Sequence, residues 1–150
     1  MACINLALEL ALLCGVIALA ASSLVLSEHA FAWLPAIPGA AWARLVHLAA
    51  SYWTFVLAFL HGGMHLQEAF GKLSRNTAAK WAGRALFALG LCYGVYSFAT
   101  LGIWSYMTLQ ARFAFIDPDA AASALQYAAI AAALAGCGHY LACGLRRLRK

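Results

Sequence analysis

The chain has 150 residues, 65% of them hydrophobic and 10% charged, with a mean hydropathy of +0.81. A water-soluble domain of this size cannot carry that composition, so the chain reads as a polytopic membrane protein with almost nothing left for a soluble domain. The formal net charge of +5 does not point to nucleic acid, because the basic residues are placed where they set membrane topology.

The first apolar stretch, INLALELALLCGVIALAASSLVL at about residues 4–27, has no preceding Lys or Arg. It exceeds a signal-peptide core and is therefore predicted to be a membrane helix. The loop EHAFAWLPAIPGA follows, with Pro35, Pro38 and Gly39 as breakers and Trp33 and Trp42 as interfacial anchors. A second span covers about 41–67 and ends in the polar stretch GKLSRNTAAK, and a third covers about 82–107. In the next loop, ARFAFIDPD, Asp117-Pro118-Asp119 reads as a turn or helix start. The fourth span, about 120–145, is rich in alanine. It carries Ala124, Ala128, Ala132 and Gly136 at four-residue intervals, a stripe suited to close helix approach in lipid. With no fixed-period repeat and no linker, residues 1–150 are predicted to form one domain, an all-α, up-down bundle of four transmembrane helices.

Lys72, Arg75, Lys80 and Arg84 lie in or beside the second loop, and Arg146, Arg147, Arg149 and Lys150 form the C-terminus. Both regions are expected on the cytoplasmic side of the inner membrane, which puts the N-terminus there too. The other two loops, with Arg44, Arg112, Glu28, Asp117 and Asp119, then face outward.

The chemistry concentrates in LVHLAASYWTFVLAFLHGGMHL, which holds His47, His61 and His65. On a helix, His47 and His61 are about 21 Å apart along the axis and roughly 40° short of full alignment, so they share a face at opposite membrane depths. Ionisable side chains inside a membrane usually mark a relay, a pathway or a cofactor. Two stacked imidazoles suggest two stacked haems, with His47 and His61 as axial ligands to iron, and paired imidazoles favour electron transfer over oxygen chemistry. His65 is an alternative inner ligand, a hydrogen-bond donor to a propionate, or an interfacial residue. His139, about six residues before the inner end of the fourth span, is expected level with His61 and His65 as a further cofactor-binding candidate. His29, in the outer loop, is a weaker one. Gly62 and Gly63 would let a porphyrin approach the backbone.

Each feature has a plainer reading. A single membrane histidine is more often a hydrogen-bonded helix contact than a ligand. Tyr52, Trp53, Phe55 and Phe59 are more often packing or lipid-facing than cofactor walls, and Glu9 reads as interfacial. Cys3, Cys14, Cys92, Cys137 and Cys143 show neither CxxC nor CxxCH spacing and read as packing thiols. No Walker loop, GxGxxG, HExxH or GxSxG motif is present.

Three segments between residues 43 and 119, ARLVHLAASYWTFVLAFLHGGMH, YGVYSF and IWSYMTLQARFAFIDPD, resemble the flavinylation-associated cytochromes, a family of small membrane proteins long catalogued as a domain of unknown function. The resemblance implies that His47, His61 and, as an alternative, His65 match haem-associated positions. It also implies a flavin-bearing extracytoplasmic partner. No flavin attachment motif occurs in this sequence, so the flavin would ride on that partner. The family's pattern further includes upstream helices whose histidines supply the opposite ligands, a region this chain is expected to lack, and a Trp where Leu66 stands here.

The leading expectation is therefore a b-type haem subunit, not a stand-alone enzyme, that moves electrons between an inner quinol or reductase and an outer flavoprotein. Two bis-imidazole haems need four histidines. The missing ligands are expected from a homodimer, from a separately encoded membrane subunit, or, with a single inner haem, from His139 opposite His61; loss of haem binding is the remaining possibility. The competing expectations are a metal or proton conduit lined by His47, His61, His65 and Glu68, and a non-haem assembly subunit of a redox complex. The conduit lacks ionisable groups at residues 48–60 apart from Tyr52.

Overall fold

The computed structural model describes residues 2–27, 38–70, 77–113 and 119–147, with side chains at 4–27, 38–66, 81–113 and 119–147. The expectations for Cys3, Glu28, His29, Trp33, Pro35, Glu68, Lys72, Arg75, Lys80, Asp117, Pro118, Arg149 and Lys150 fall on side chains outside that set. The helices are α1 (Ala2–Leu26), α2 (Ala40–Phe70), α3 (Thr77–Thr100), α4 (Ile103–Met107) and α5 (Ala120–Arg147). Four of them, α1, α2, α3 and α5, are long and apolar enough to cross a membrane. The architecture is the all-α, four-helix membrane bundle that the hydropathy pattern demands.

Both boundaries of the third span differ from the sequence reading, since α3 already begins at Thr77, inside the stretch read as a loop. The span expected at about 82–107 is broken: α3 stops at Thr100, and Gly102 adopts a left-handed conformation with φ 62°. Glycine accepts that conformation without a side-chain clash, which makes it a natural helix stop. The Gly102 amide donates to the Ala99 carbonyl at 3.1 Å, and its own carbonyl accepts from Ser105 N to start α4. The short helix folds back onto α2 instead of prolonging the span.

Helix contacts run in a chain. Among the described residues α1 packs only on α2, α2 also on α5, and α5 also on α3, while α4 touches α2 and α3. On α2, the residues toward α1 (His47, Thr54) and those toward α5 (Tyr52, Leu60, Gly63) lie on roughly opposite sides of the helix. The bundle is thus opened into a row one helix thick. Few side chains are fully buried as a result. The main cluster is Ile103, Met107 and Ile130, backed by Tyr52, Phe55, Val56, Phe98, Leu101, Tyr127 and Leu134. Lipid tails are as apolar as leucine, so a membrane protein tolerates the exposed Leu13, Leu86, Leu89 and Val95 that such a layer leaves.

Small residues set the spacing within the row. A Cβ on Gly63 would strike the Ala135 carbonyl, and one on Gly138 would strike the Leu60 carbonyl, so the α2 and α5 backbones are in contact there. Gly94 rests against Ala129 and Ala133, and Gly136 against Phe87, where α3 crosses α5. Of the expected stripe, Gly136 does pack between helices, but Ala124, Ala128 and Ala132 are exposed. The reason is that α5 is gripped on two sides, through Ala135 and Gly138 by α2 and through Ala129, Ala133 and Gly136 by α3. Polar bonds reinforce the half of the row near α4. Tyr52 and Tyr127 share a hydroxyl hydrogen bond of 3.0 Å, Tyr106 stacks on Tyr52 at 4.9 Å, and Trp53 Nε1 donates to the Met107 carbonyl at 3.1 Å.

Candidate functional site

The seam between α1 and α2 carries most of the polar side chains that neither packing nor topology explains. Ser22 sits opposite His47, and seven residues back along α1, Gly15 meets Thr54, seven residues further along α2. Seven residues is close to two helical turns, so a third step on the same antiparallel stripe reaches His61. The heptad thus puts His61 on the stripe whose first two members, His47 and Thr54, meet α1.

His47 is held by a defined donor and acceptor pattern. Ser22, only 5% exposed, directs its hydroxyl to the Ala18 carbonyl at 2.7 Å, with Leu19 O at 3.0 Å. Its oxygen is also 3.0 Å from His47 Nδ1. A hydroxyl has one proton. With that proton on a backbone carbonyl, Ser22 accepts from Nδ1–H of His47, and the imidazole presents a bare lone pair at Nε2. A ring nitrogen fixed by hydrogen bonding while the other is free is the arrangement that iron or zinc ligands use. Ser23 Oγ adds a longer contact at 3.5 Å.

Further along α1 and α2, buried polar atoms lack partners. Thr54 Oγ1, Asn5 Oδ1 and His61 Nδ1 are each buried without a hydrogen bond. Unsatisfied buried groups cost stability and call for an explanation. His61 also meets His65 edge to face, with ring centroids 4.9 Å apart, and His65 is exposed.

His139 stands apart from the seam. α2 and α5 run parallel, with Tyr52 beside Tyr127 and Leu60 against Gly138, so His139 is level with the His61 and His65 end of α2. Its Nε2 lies 3.7 Å from Cys143 Sγ, and its Nδ1 is buried without a partner. The backbone contact of Gly63 and Gly138 closes α2 against α5 at this depth, leaving no porphyrin-wide gap between the two helices. Gly63 is therefore occupied by helix packing, whereas a Cβ at Gly62 would meet nothing within 4 Å.

Among the described residues no group of three or more His, Cys, Asp or Glu could hold a metal ion. A haem asks for only two axial ligands, and the residues present fit one on one side: His47 offers a prepared Nε2, while the α1 residues opposite are serines. Cys14, Cys92 and Cys137 are free, as their spacing predicts, but exposed, so they do not pack between helices as expected. Tyr52 and Phe55 serve packing, as the plainer reading has it. Sequence reasoning missed Ser22, Thr54 and Asn5. The heptad from His47 passes through Thr54, and that was the available signal. No family model, curated protein or solved structure matches the chain.

Proposed function

We propose that this chain is a b-type haem subunit of the cytoplasmic membrane that passes electrons across the bilayer, to or from an extracytoplasmic flavoprotein. The observation that carries the reading is His47, with Nδ1 tied to a buried serine and Nε2 left as a ligand, on the same stripe as His61. The sequence resemblance to flavinylation-associated cytochromes, carried by the same segment of α2, points the same way. His47 and His61 would hold the haem, which would supply one-electron chemistry there.

The chain's own residues do three things in this reading. Ser22 fixes the His47 tautomer and the plane of its ring. His47 and His61 offer one nitrogen ligand at each of two depths, about 21 Å apart along α2. Because α1 touches α2 alone among the described residues and offers serines opposite His47, the second ligand at each depth comes from a helix outside α1–α5, such as that of a second copy or a separate membrane subunit. His139 is not used, since α2 and α5 are in backbone contact beside it. The basic C-terminus lies in the cytoplasm by the positive-inside rule.

Purified protein is expected to show a Soret band and, after dithionite, the sharp α band of low-spin bis-histidine haem. Colourless protein, isolated with its neighbours in the membrane and supplied with haem, contradicts the reading. A proton conduit along the seam is the second reading, favoured by Thr54 Oγ1, a buried hydroxyl between the two histidines. It predicts pH-driven proton uptake into vesicles that Thr54→Val abolishes, without colour.

A further inference from the structure

At the end of α2 away from the C-terminal arginines, Ala41, Trp42, Arg44, Leu45, Arg112 and Phe113 line a cavity of about 440 Å³. The chain builds it deliberately. After α4, Leu109 takes a left-handed conformation with φ 62°, and the amides of Gln110 and Ala111 both donate to the Ser105 carbonyl, at 2.9 and 3.1 Å. That reversal turns Arg112 and Phe113 back toward the first turns of α2. A bulky residue at positive φ is strained, and the doubled bond to Ser105 is what holds it.

Arg44 and Arg112 both line this cavity, and among the described residues no lining residue is acidic. The Asp119 carboxylate accepts from the amides of Ala121 and Ala122, capping α5. Arg44 lies over the Phe113 ring at 5.5 Å, a cation–π contact that leaves its N–H edge available. The rest of the wall is apolar or aromatic, and Trp42 and Phe113 are 69% and 65% exposed. Two cations lining one cavity call for an anion, and guanidiniums suit the oxygens of a phosphate best. Exposed aromatics at a helix end mark the headgroup level of a bilayer. Below them Val46, 39% exposed, continues an apolar surface down α2.

We propose that this cavity binds an anionic phospholipid, its phosphate between Arg44 and Arg112 and its acyl chains along Leu45 and Val46. The site is independent of haem, and it would hold an anionic lipid at the membrane face opposite the basic C-terminus.

Native mass spectrometry of the full chain, released from neutral detergent with phosphatidylglycerol or phosphatidylcholine, tests the proposal. Wild type is expected to retain one phosphatidylglycerol and no phosphatidylcholine. R44Q/R112Q is expected to lose that retention about tenfold or more, on the strength of two charge-assisted bonds. R146Q/R147Q, at the other membrane face, is expected to retain it. Inorganic phosphate at millimolar concentration is expected not to displace the lipid. Equal retention in R44Q/R112Q, or equal retention of phosphatidylcholine, overturns the site. Displacement by phosphate alone overturns the lipid and leaves a bare oxyanion site. All four arginines are exposed, and circular dichroism of each variant confirms that retention, not folding, is being read.

Discussion

The two sides of α2 are built by different rules. Toward α5 the helix presents Gly63, Leu60, Val56 and Tyr52. Its backbone touches its neighbour, its one polar pair is mutually satisfied, and the main buried cluster lies along that side. Toward α1 it presents His47, Thr54 and His61. Only the first of these has a hydrogen-bond partner on α1, and the buried atoms of the other two have none. Orphaned polar atoms cost stability in a membrane, and Ser97 Oγ on α3 and His139 Nδ1 on α5 are orphaned as well. What sets the α1 side of α2 apart is that a histidine, a threonine and a second histidine follow one another on a single heptad stripe.

Substitutions on the two sides should separate those roles. The largest effect is expected on the packing side: Gly63→Ala pushes a methyl into the Ala135 carbonyl and should cost about 3 kcal/mol, read by SDS titration of the folded protein. Wild-type stability there would remove the claim of backbone contact. Ser22→Ala should cost about 1 kcal/mol by stranding Nδ1–H of His47. More tellingly, it should convert the ¹⁵N resonances of His47 from a single Nδ1–H tautomer to a mixture, with or without haem. An unchanged tautomer would mean that Ser22 does not set it. Tyr127→Phe breaks the satisfied pair and should cost about 0.6 kcal/mol, the usual worth of an interhelical bond in a bilayer. The smallest change runs the other way: Thr54→Val removes an unsatisfied hydroxyl and should stabilise by about 0.5 kcal/mol. A marked loss of stability would show that Thr54 has a partner after all.

Much of this was legible in the sequence, and the exceptions share a cause. Hydropathy located the four spans because a bilayer imposes both length and composition on each of them. Periodicity placed His47 and His61 on one side of α2 because a helix allows nothing else. What the sequence did not reveal was which neighbour each side meets. The stripe Ala124, Ala128, Ala132 is as regular as the one that packs, but regularity does not say where α3 and α2 lie, and those alanines face outward. The break at Gly102 was hidden because one glycine in an apolar run is common in membrane helices. Ser22 looked like any small residue near a helix end until α1 was set against α2. Depth could be read along one chain segment, whereas partnership depends on the order of helices across the row.

The claim that the α1 side of α2 carries ligands at two depths is tested most directly by haem content. The pyridine haemochrome assay gives haem per chain for wild type, His47→Ala, His61→Ala and the double variant, each purified with its membrane neighbours. Each single variant is expected to lose one of two haems and the double variant to lose both, with His65→Ala and His139→Ala unchanged in content. A double variant with the haem content of wild type would contradict the account, and a loss confined to His65→Ala would move the inner ligand one turn along α2.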